Sequence, residues 1–456
     1  MVARGWRAPW SASRPIHRAL FFSLLDGLAA YASIGVVERF AIPYAIKLGF
    51  SNQQIGLFAG IPYVMASLSN LISPGIVART GRRKSLCLAA VFSQVFWLVC
   101  LLSVSQLHSG ARFYAALLVF TMYATFGQIQ MGAWGSWMAD LLPDSSRSRY
   151  FGWRDQITGF FAMPFAYLCA VLLDASPAGK FAGFAIVFGM AAVFRAFSGL
   201  AVWAQYEPPM TDEPSSEQVS FLGFLSGAGN HDALTASMYF AAIIFATRLC
   251  GPFFQVYMLR DLELSYKSFT VLTLVASLTH LVFIHFWGRL GDRFGNAKLL
   301  RVVWPGIVAI PALWTISGNF YYLVGLQIIA GFCWSAFFLA SWNYILDATS
   351  RETRGRYISY SLVLRGVAGA ISPFIGGLIL SYLPPLGGYQ IRTLFALSAG
   401  LRLMAGFLTL GRLREVKPVG RLGANQLIYA LPGIRPLTGM YRAFARRFSQ
   451  DNDTTT

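Results

Sequence analysis

Apolar runs of membrane-spanning length recur twelve times along the 456 residues, at about 19–46, 53–78, 85–107, 112–140, 154–174, 179–204, 234–259, 267–288, 299–316, 319–346, 357–383 and 390–411. A bilayer core of about 30 Å takes about 20 helical residues to cross, so each run predicts one spanning helix. Lipid offers no partners to backbone N–H and C=O groups, and a helix satisfies them within the segment. Composition leaves no competing class. The chain is 56% hydrophobic and 12% charged, about half the charge of a soluble domain. Disorder, a disulfide scaffold and a nucleic-acid module are excluded by the same figures. The expected fold class is an all-α polytopic membrane protein.

The net charge of +18 becomes informative once it is located. With both termini in the cytoplasm, the inward segments hold 26 Lys and Arg residues and the outward loops hold 6, as the positive-inside rule demands. Arg39, Arg195, Arg248, Arg365 and Arg402 fall within spans. A topology with both ends inside follows, and no nucleic acid is expected as a partner. The lipid bilayer is the expected environment.

Five parts are expected: a cytoplasmic tail (1–18), a six-helix half (19–204), a linker (205–233), a second six-helix half (234–412) and a basic tail (413–456). The linker holds Glu207, Asp212, Glu213, Glu217 and Asp232 with no Lys or Arg, and Pro208, Pro209 and Pro214 interrupt any helix at its start. Its Val219–Leu225 stretch can lie at the interface. Arg14 and Arg18 before the first run resemble a signal peptide, but the run is too long and lacks a small-residue cleavage site; a retained helix is expected. In the basic tail, Met440, Tyr441, Phe444 and Phe448 recur at helical spacing beside Arg442, Arg446 and Arg447, the pattern of a helix on an anionic leaflet or of a disordered basic tail. Cys87, Cys100, Cys169, Cys250 and Cys333 sit in apolar stretches without a C-x-x-C and read as small hydrophobes. No cofactor and no metal site is expected.

An internal repeat divides the chain. Asp140, Arg147, Arg149 and Tyr150 recur as Asp347, Arg354, Arg356 and Tyr357, each 207 residues on. Both copies join an even-numbered span to the next odd one. The loop between the eighth and ninth spans reads Gly288-Arg289-Leu290-Gly291-Asp292-Arg293-Phe294-Gly295, followed by Asn296 and Lys298. Its counterpart after the second span reads Pro74-Gly75-Ile76-Val77-Ala78-Arg79-Thr80-Gly81-Arg82-Arg83-Lys84. The first of these resembles the signature loop of the major facilitator superfamily, G-x-L-x-D-R-x-G followed by basic residues. The second departs from it, with Ala78 in place of the acid.

The resemblance, to bacterial members of that superfamily, covers residues 17–412 and implies twelve helices in two pseudo-symmetric six-helix halves. It implies a secondary transporter in the inner (plasma) membrane, a monomer rather than an enzyme, that moves a small-molecule solute by alternating access, with the proton as expected coupling ion. It also implies gating loops, here Gly288, Asp292, Arg293, Gly295, Gly81, Arg82 and Arg83, with Asp140, Arg147, Arg149, Asp347, Arg354 and Arg356 beside them. A transport-inactive assembly or sensory relative is the alternative, and Ala78 is the residue that favours it.

Ionisable groups inside a bilayer are costly and mark functional candidates. Asp26, placed about seven residues into the first span, is the expected proton-coupling site. In the superfamily the first, fourth, seventh and tenth spans line the cavity. Arg248, Gln128, Gln130, Trp134, Gln327, Trp334 and Asn343 are therefore the expected lining, and Arg365 on the eleventh span joins them. Arg195 and Arg402 lie on spans expected to support the core, and Glu38 and Arg39 at the outer rim. The arginine excess leans the substrate toward an organic anion. His280 and His285 are expected to be packed or hydrogen-bonded. Gly366, Gly369, Pro373, Gly376 and Gly377 on the eleventh span resemble an antiporter element, but small residues at that spacing serve close helix approach in any transporter. No P-loop, H-E-x-x-H or serine-triad signature is present.

Overall fold

Polar residues set where the apolar runs begin. Ser51 opens α2 (Asn52–Thr80) with a reciprocal capping box to Gln54, and Gly81 closes it at φ 62°, its N–H donating to Val77. Asn230, Ser265 and Asn319 likewise accept first-turn N–H groups at the starts of α8 (His231–Val256), α9 (Tyr266–Phe294) and α11 (Phe320–Ala348). The remaining helices are α1 (Arg14–Lys47), α3 (Arg83–Val104), α4 (Ser109–Leu141), α5 (Asp144–Ala175), α6 (Ala182–Ala204), the short α7 (Phe221–Leu225), α10 (Asn296–Leu313), α12 (Arg354–Leu380) and α13 (Gln390–Thr409). A π-helical turn, Tyr257–Asp261, extends α8.

This is a computed structural model, and it describes residues 14–142, 144–177, 180–209, 221–227, 230–350 and 353–416. The tail positions Met440, Tyr441, Phe444 and Phe448, most of the linker acids and the side chains of Ala78, Arg147, Arg149 and Arg354 lie outside the described residues. All helices but α7 have at least 18 residues, and among the described residues ten are apolar enough along their length to cross a membrane. The other two, α2 and α4, have 29 and 33 residues. At about 1.5 Å per residue, each is still more than 40 Å long.

Two boundaries differ from the sequence expectation in a way that matters. Helix α1 starts at Arg14, so Asp26 lies twelve residues along it, about 18 Å from its start. Helix α5 starts at Asp144 rather than near 154, and within the added length Tyr150 and Arg154 donate to the Leu20 and Ser23 carbonyls of α1, contacts that spacing along the sequence does not announce.

The first six helices pack among themselves, as do α8 to α13, and the two groups meet through α2 against α12 and α5 against α9. Glycine makes the α2–α12 seam close. A Cβ on Gly377 would fall 2.5 Å from the carbonyl oxygen of Asn52, and one on Gly56 would collide with the carbonyl of Pro373. This is small-residue packing of backbone against backbone. In the linker, Phe224 of α7 is buried against Tyr357 and Tyr360, with ring centroids 5.6 and 5.4 Å away.

Candidate functional site

Asp26 is 2% exposed and sits in a polar network inside the first half. Its Oδ1 accepts from Ser198 Oγ at 2.6 Å, and Arg154 Nη2 lies 3.5 Å from its Oδ2. Arg154 also donates through Nε to the Ser23 carbonyl at 3.1 Å and lays its guanidinium 4.5 Å from the Trp134 ring centroid. Arg195, fully buried, donates to Ser198 Oγ at 3.0 Å and to Gln94 Oε1 at 2.8 Å, and its Nη2 donates to Gln130 Oε1. Two guanidinium groups thus share one carboxylate. Buried charges persist only when paired and hydrogen-bonded in this way.

Three expectations are corrected here. Arg154, counted with the loop charges, is a buried residue of α5. Arg195, assigned to a supporting face, reaches Asp26 through Ser198. Gln130 and Trp134, expected to line a cavity, are buried in this network instead. Sequence spacing carried no signal for Arg154, since it lies in a polar stretch that only tertiary contacts make helical.

A cavity of about 600 Å³ lies between the halves and extends into the second one. Gly35, Arg39 and Met163 line it from α1 and α5; Phe254, Gln255, His280, Trp314, Gln327, Trp334 and Arg402 line it from the second half. No Asp or Glu is among its lining residues. Gln327 and Trp334 of α11 are on this wall. Arg39 faces the cavity rather than the rim, and so does Arg402, which is 1% exposed.

The other expected lining residues are elsewhere. Arg248 stacks on Tyr63 of α2, its guanidinium carbon 3.9 Å from the ring centroid. Arg365 lies 4.5 Å from the centroid of Phe240 and donates to Ser361 at 3.2 Å. Both cations are held at the α2–α8–α12 contact, off the cavity wall. Gln128 is exposed on α4 and Asn343 half-buried on α11, and neither lines the cavity. His285 meets Gln156 across the halves at 3.4 Å.

The repeat is legible at the end of the bundle where α1 begins and α13 ends. Asp140 on α4 accepts from Arg83 in the first turn of α3, and Asp347 on α11 accepts from Asn296 in the first turn of α10 at 2.8 Å. An acid following each half completes the pattern. Glu207 accepts from the Lys84 N–H at 3.2 Å; Glu415 accepts from the N–H groups of Asn296 and Ala297 at 3.2 and 3.0 Å. A carboxylate at a helix N-terminus fills orphan donors. Gly295, at φ 92°, leaves the room that the Glu415 carboxyl occupies. Burial raises the Glu415 carboxyl above its ordinary value, against the opposing N–H donors and Lys298. Glu415 escaped the sequence analysis because it was counted with the tail.

Of the expected gating residues, Arg83 is buried to 1% exposure, while Arg82, Asp292 and Arg293 are exposed and Arg356 half-buried. Gly81 caps α2, and Gly288 packs near Leu339 of α11.

At the opposite end, hydrogen bonds cross between the halves. Arg260, on the π-helical turn, donates to Asn52 Oδ1 at 2.8 Å and to the Phe50 carbonyl at 3.2 Å. Asp174 at the end of α5 accepts from the N–H groups of Tyr266 and Lys267 at 2.8 and 2.9 Å. Arg260 and Lys267 are two of the six basic residues counted in the outward loops.

Comparison with known proteins bears on the same architecture. The family model of the Major Facilitator Superfamily matches residues 236–448. Multidrug resistance protein MdtG of Serratia proteamaculans (strain 568) is 27% identical over 176 residues, 37% of this chain and 41% of that relative; the match thus spans less than half of the relative's length. Among solved structures, a bacterial homologue of the human lysosomal transporter Spinster, inward-facing and unoccupied, superposes with a TM-score of 0.69 at 16% identity, covering 90% of this chain and all of the other. The nucleoside transporter NupG gives 0.61 at 13% identity over 88% of this chain and 100% of its own. A bacterial homologue of the iron transporter ferroportin, inward-facing, gives 0.64 at 15% identity over 88% of this chain and 98% of its own. The matches make two statements: residues 236–448 are similar to the Major Facilitator Superfamily model, and the chain as a whole shares its helix arrangement with these transporter structures.

Proposed function

We propose that the protein is a secondary active transporter that moves a small organic solute by alternating access, with protons as the coupling ion. The observation that carries this reading is the cavity shared by both halves. Arg260–Asn52 and the Asp174 contacts to α9 draw the halves together at the end opposite the termini. With the termini cytoplasmic, that end is the outer one, and the arrangement corresponds to the inward-facing half of a cycle. The fold shared with inward-facing neighbours supports it.

Asp26 is the proposed proton site. It lies off the cavity, so coupling runs through the network: protonation removes the buried negative charge held by Arg154 and Ser198. Arg154 on α5 then loses its ion pair to α1 and keeps the hydrogen bond to the Ser23 carbonyl, which loosens the two helices against each other. A two-state change of this kind needs such a differential contact. The organic-anion preference is supported by the acid-free, arginine-bearing lining. The repeated acid clamps at Asp140 and Asp347, beside the loops at Gly81 and Gly288, are proposed as the inner gate. The protein is proposed to act as a monomer in the inner membrane.

Gradient-driven flux in proteoliposomes tests the reading. A pH gradient is expected to drive uptake or efflux of an organic-anion panel, and Asp26→Asn to abolish the coupling while leaving downhill exchange. Full gradient-driven transport by Asp26→Asn would remove the proton site. No flux for any solute favours the non-transporting alternative that Ala78 raises.

A further inference from the structure

We infer that Arg402 is the anion-binding group of a subsite for an amphipathic organic anion, seated inside the second half. This deepens the transport reading and rests on it. Among the described residues four arginines are almost wholly buried: Arg83, Arg154, Arg195 and Arg402. The first two are paired with Asp140 and Asp26, and Arg195 binds two glutamine oxygens and reaches Asp26 through Ser198. Arg402 differs. Its Nη1 donates to the Ile307 carbonyl at 2.9 Å and its Nη2 to Cys250 Sγ at 3.8 Å; its Nε has no hydrogen-bond partner, and no carboxylate pairs with it among the described residues. A guanidinium removed from water without a counter-ion is incomplete. It lines the cavity, so a ligand anion can complete it there.

The surrounding wall specifies the rest of the molecule. Trp334 lies 5.8 Å from the guanidinium carbon to its ring centroid, and Phe254 and Trp314 form an aromatic floor with centroids 5.0 Å apart. Arg39 supplies a second cation from the other half, and no acid stands on the lining to repel an anion. A planar or aliphatic body carrying a carboxylate, sulfonate or phosphate fits this chemistry: apolar surface for the body, a forked donor for the head group.

Bromine quenches tryptophan fluorescence, so 4-bromobenzoate and its neutral counterpart 4-bromobenzyl alcohol are suitable probes for the full chain in nanodiscs. Saturable quenching by the acid is expected, with binding of the alcohol at least about tenfold weaker. Trp334→Phe combined with Trp314→Phe should remove most of the signal. Arg402→Gln should erase the preference for the acid, and Arg39→Gln should keep it. Equal affinity for acid and alcohol overturns the assignment even if Arg402→Gln does not fold, and so does an acid preference that survives Arg402→Gln. Acid-selective binding without flux in proteoliposomes sinks the transport reading and leaves the subsite standing. Gradient-driven flux without acid-selective binding does the reverse.

Discussion

Arg154 stands 3.5 Å from Asp26 in the interior of the first half, with the face of Trp134 behind its guanidinium. Breaking one member of a buried pair costs about 3–5 kcal/mol, because the other charge stays buried and uncompensated. Asp26→Asn leaves two buried guanidiniums with no buried carboxylate, Arg154 keeping the exposed Asp155 at 3.8 Å; Arg154→Gln leaves a carboxylate with Ser198 and the more distant Arg195. Each single substitution should lower the melting temperature in detergent, Asp26→Asn the more. The double variant should recover part of the loss. A double variant less stable than both singles would show that the pair does not act as a unit.

The α2–α12 seam gives a second, sharper test. A methyl on Gly56 meets the Pro373 carbonyl, whereas one on Gly135 of α4 meets nothing within 4 Å. Overpacking typically costs about 1–3 kcal/mol, while Gly→Ala in an open helix gains up to about 1 kcal/mol. Gly56→Ala should therefore lower the melting temperature and Gly135→Ala should hold or raise it. A matched pair of thermal-shift curves decides it.

How much of this was legible beforehand depended on whether the signal was local. Spans, halves and the repeat at Asp140 and Asp347 follow from hydropathy and spacing, which the chain carries along its length. Gln327 and Trp334 line the cavity from α11. Arg154, Arg39 and Arg402 were misplaced because depth and rotation about a helix axis are set by packing, and polar residues such as those at 144–155 hide a helix that neighbours complete. The far-end contacts of Arg260 and Asp174 were invisible for a related reason: three of their partners are backbone groups and the fourth is the Asn52 amide, 208 residues away in sequence.

Those contacts predict a shift in conformational population. Asp174 satisfies two first-turn N–H groups of α9, and its loss removes two charge-assisted hydrogen bonds that exist only while that end is closed. Asp174→Asn combined with Arg260→Ala should favour separation of the far ends. Spin labels at Leu107 and Ser317, in a background without native cysteines, should then show a larger long-distance population by pulsed dipolar spectroscopy. An unchanged distance distribution would mean that α2–α12 packing alone holds the end shut.

Glu415 supplies a test with a defined sign. Two backbone N–H groups of α10 favour its carboxylate, yet burial outweighs them and lifts the carboxyl above its ordinary 4.5. In the window from about 4.5 to the raised value, the folded chain holds a proton that the unfolded chain has released. The contribution of this group to stability is therefore fully present below the window and declines as pH rises through it. Glu415→Gln does not titrate and keeps one acceptor for the α10 terminus. The melting temperature of the wild type minus that of Glu415→Gln should fall with increasing pH across the window and level off on either side. A rise instead would show that the helix-terminal donors dominate and that the carboxylate is the form the fold prefers.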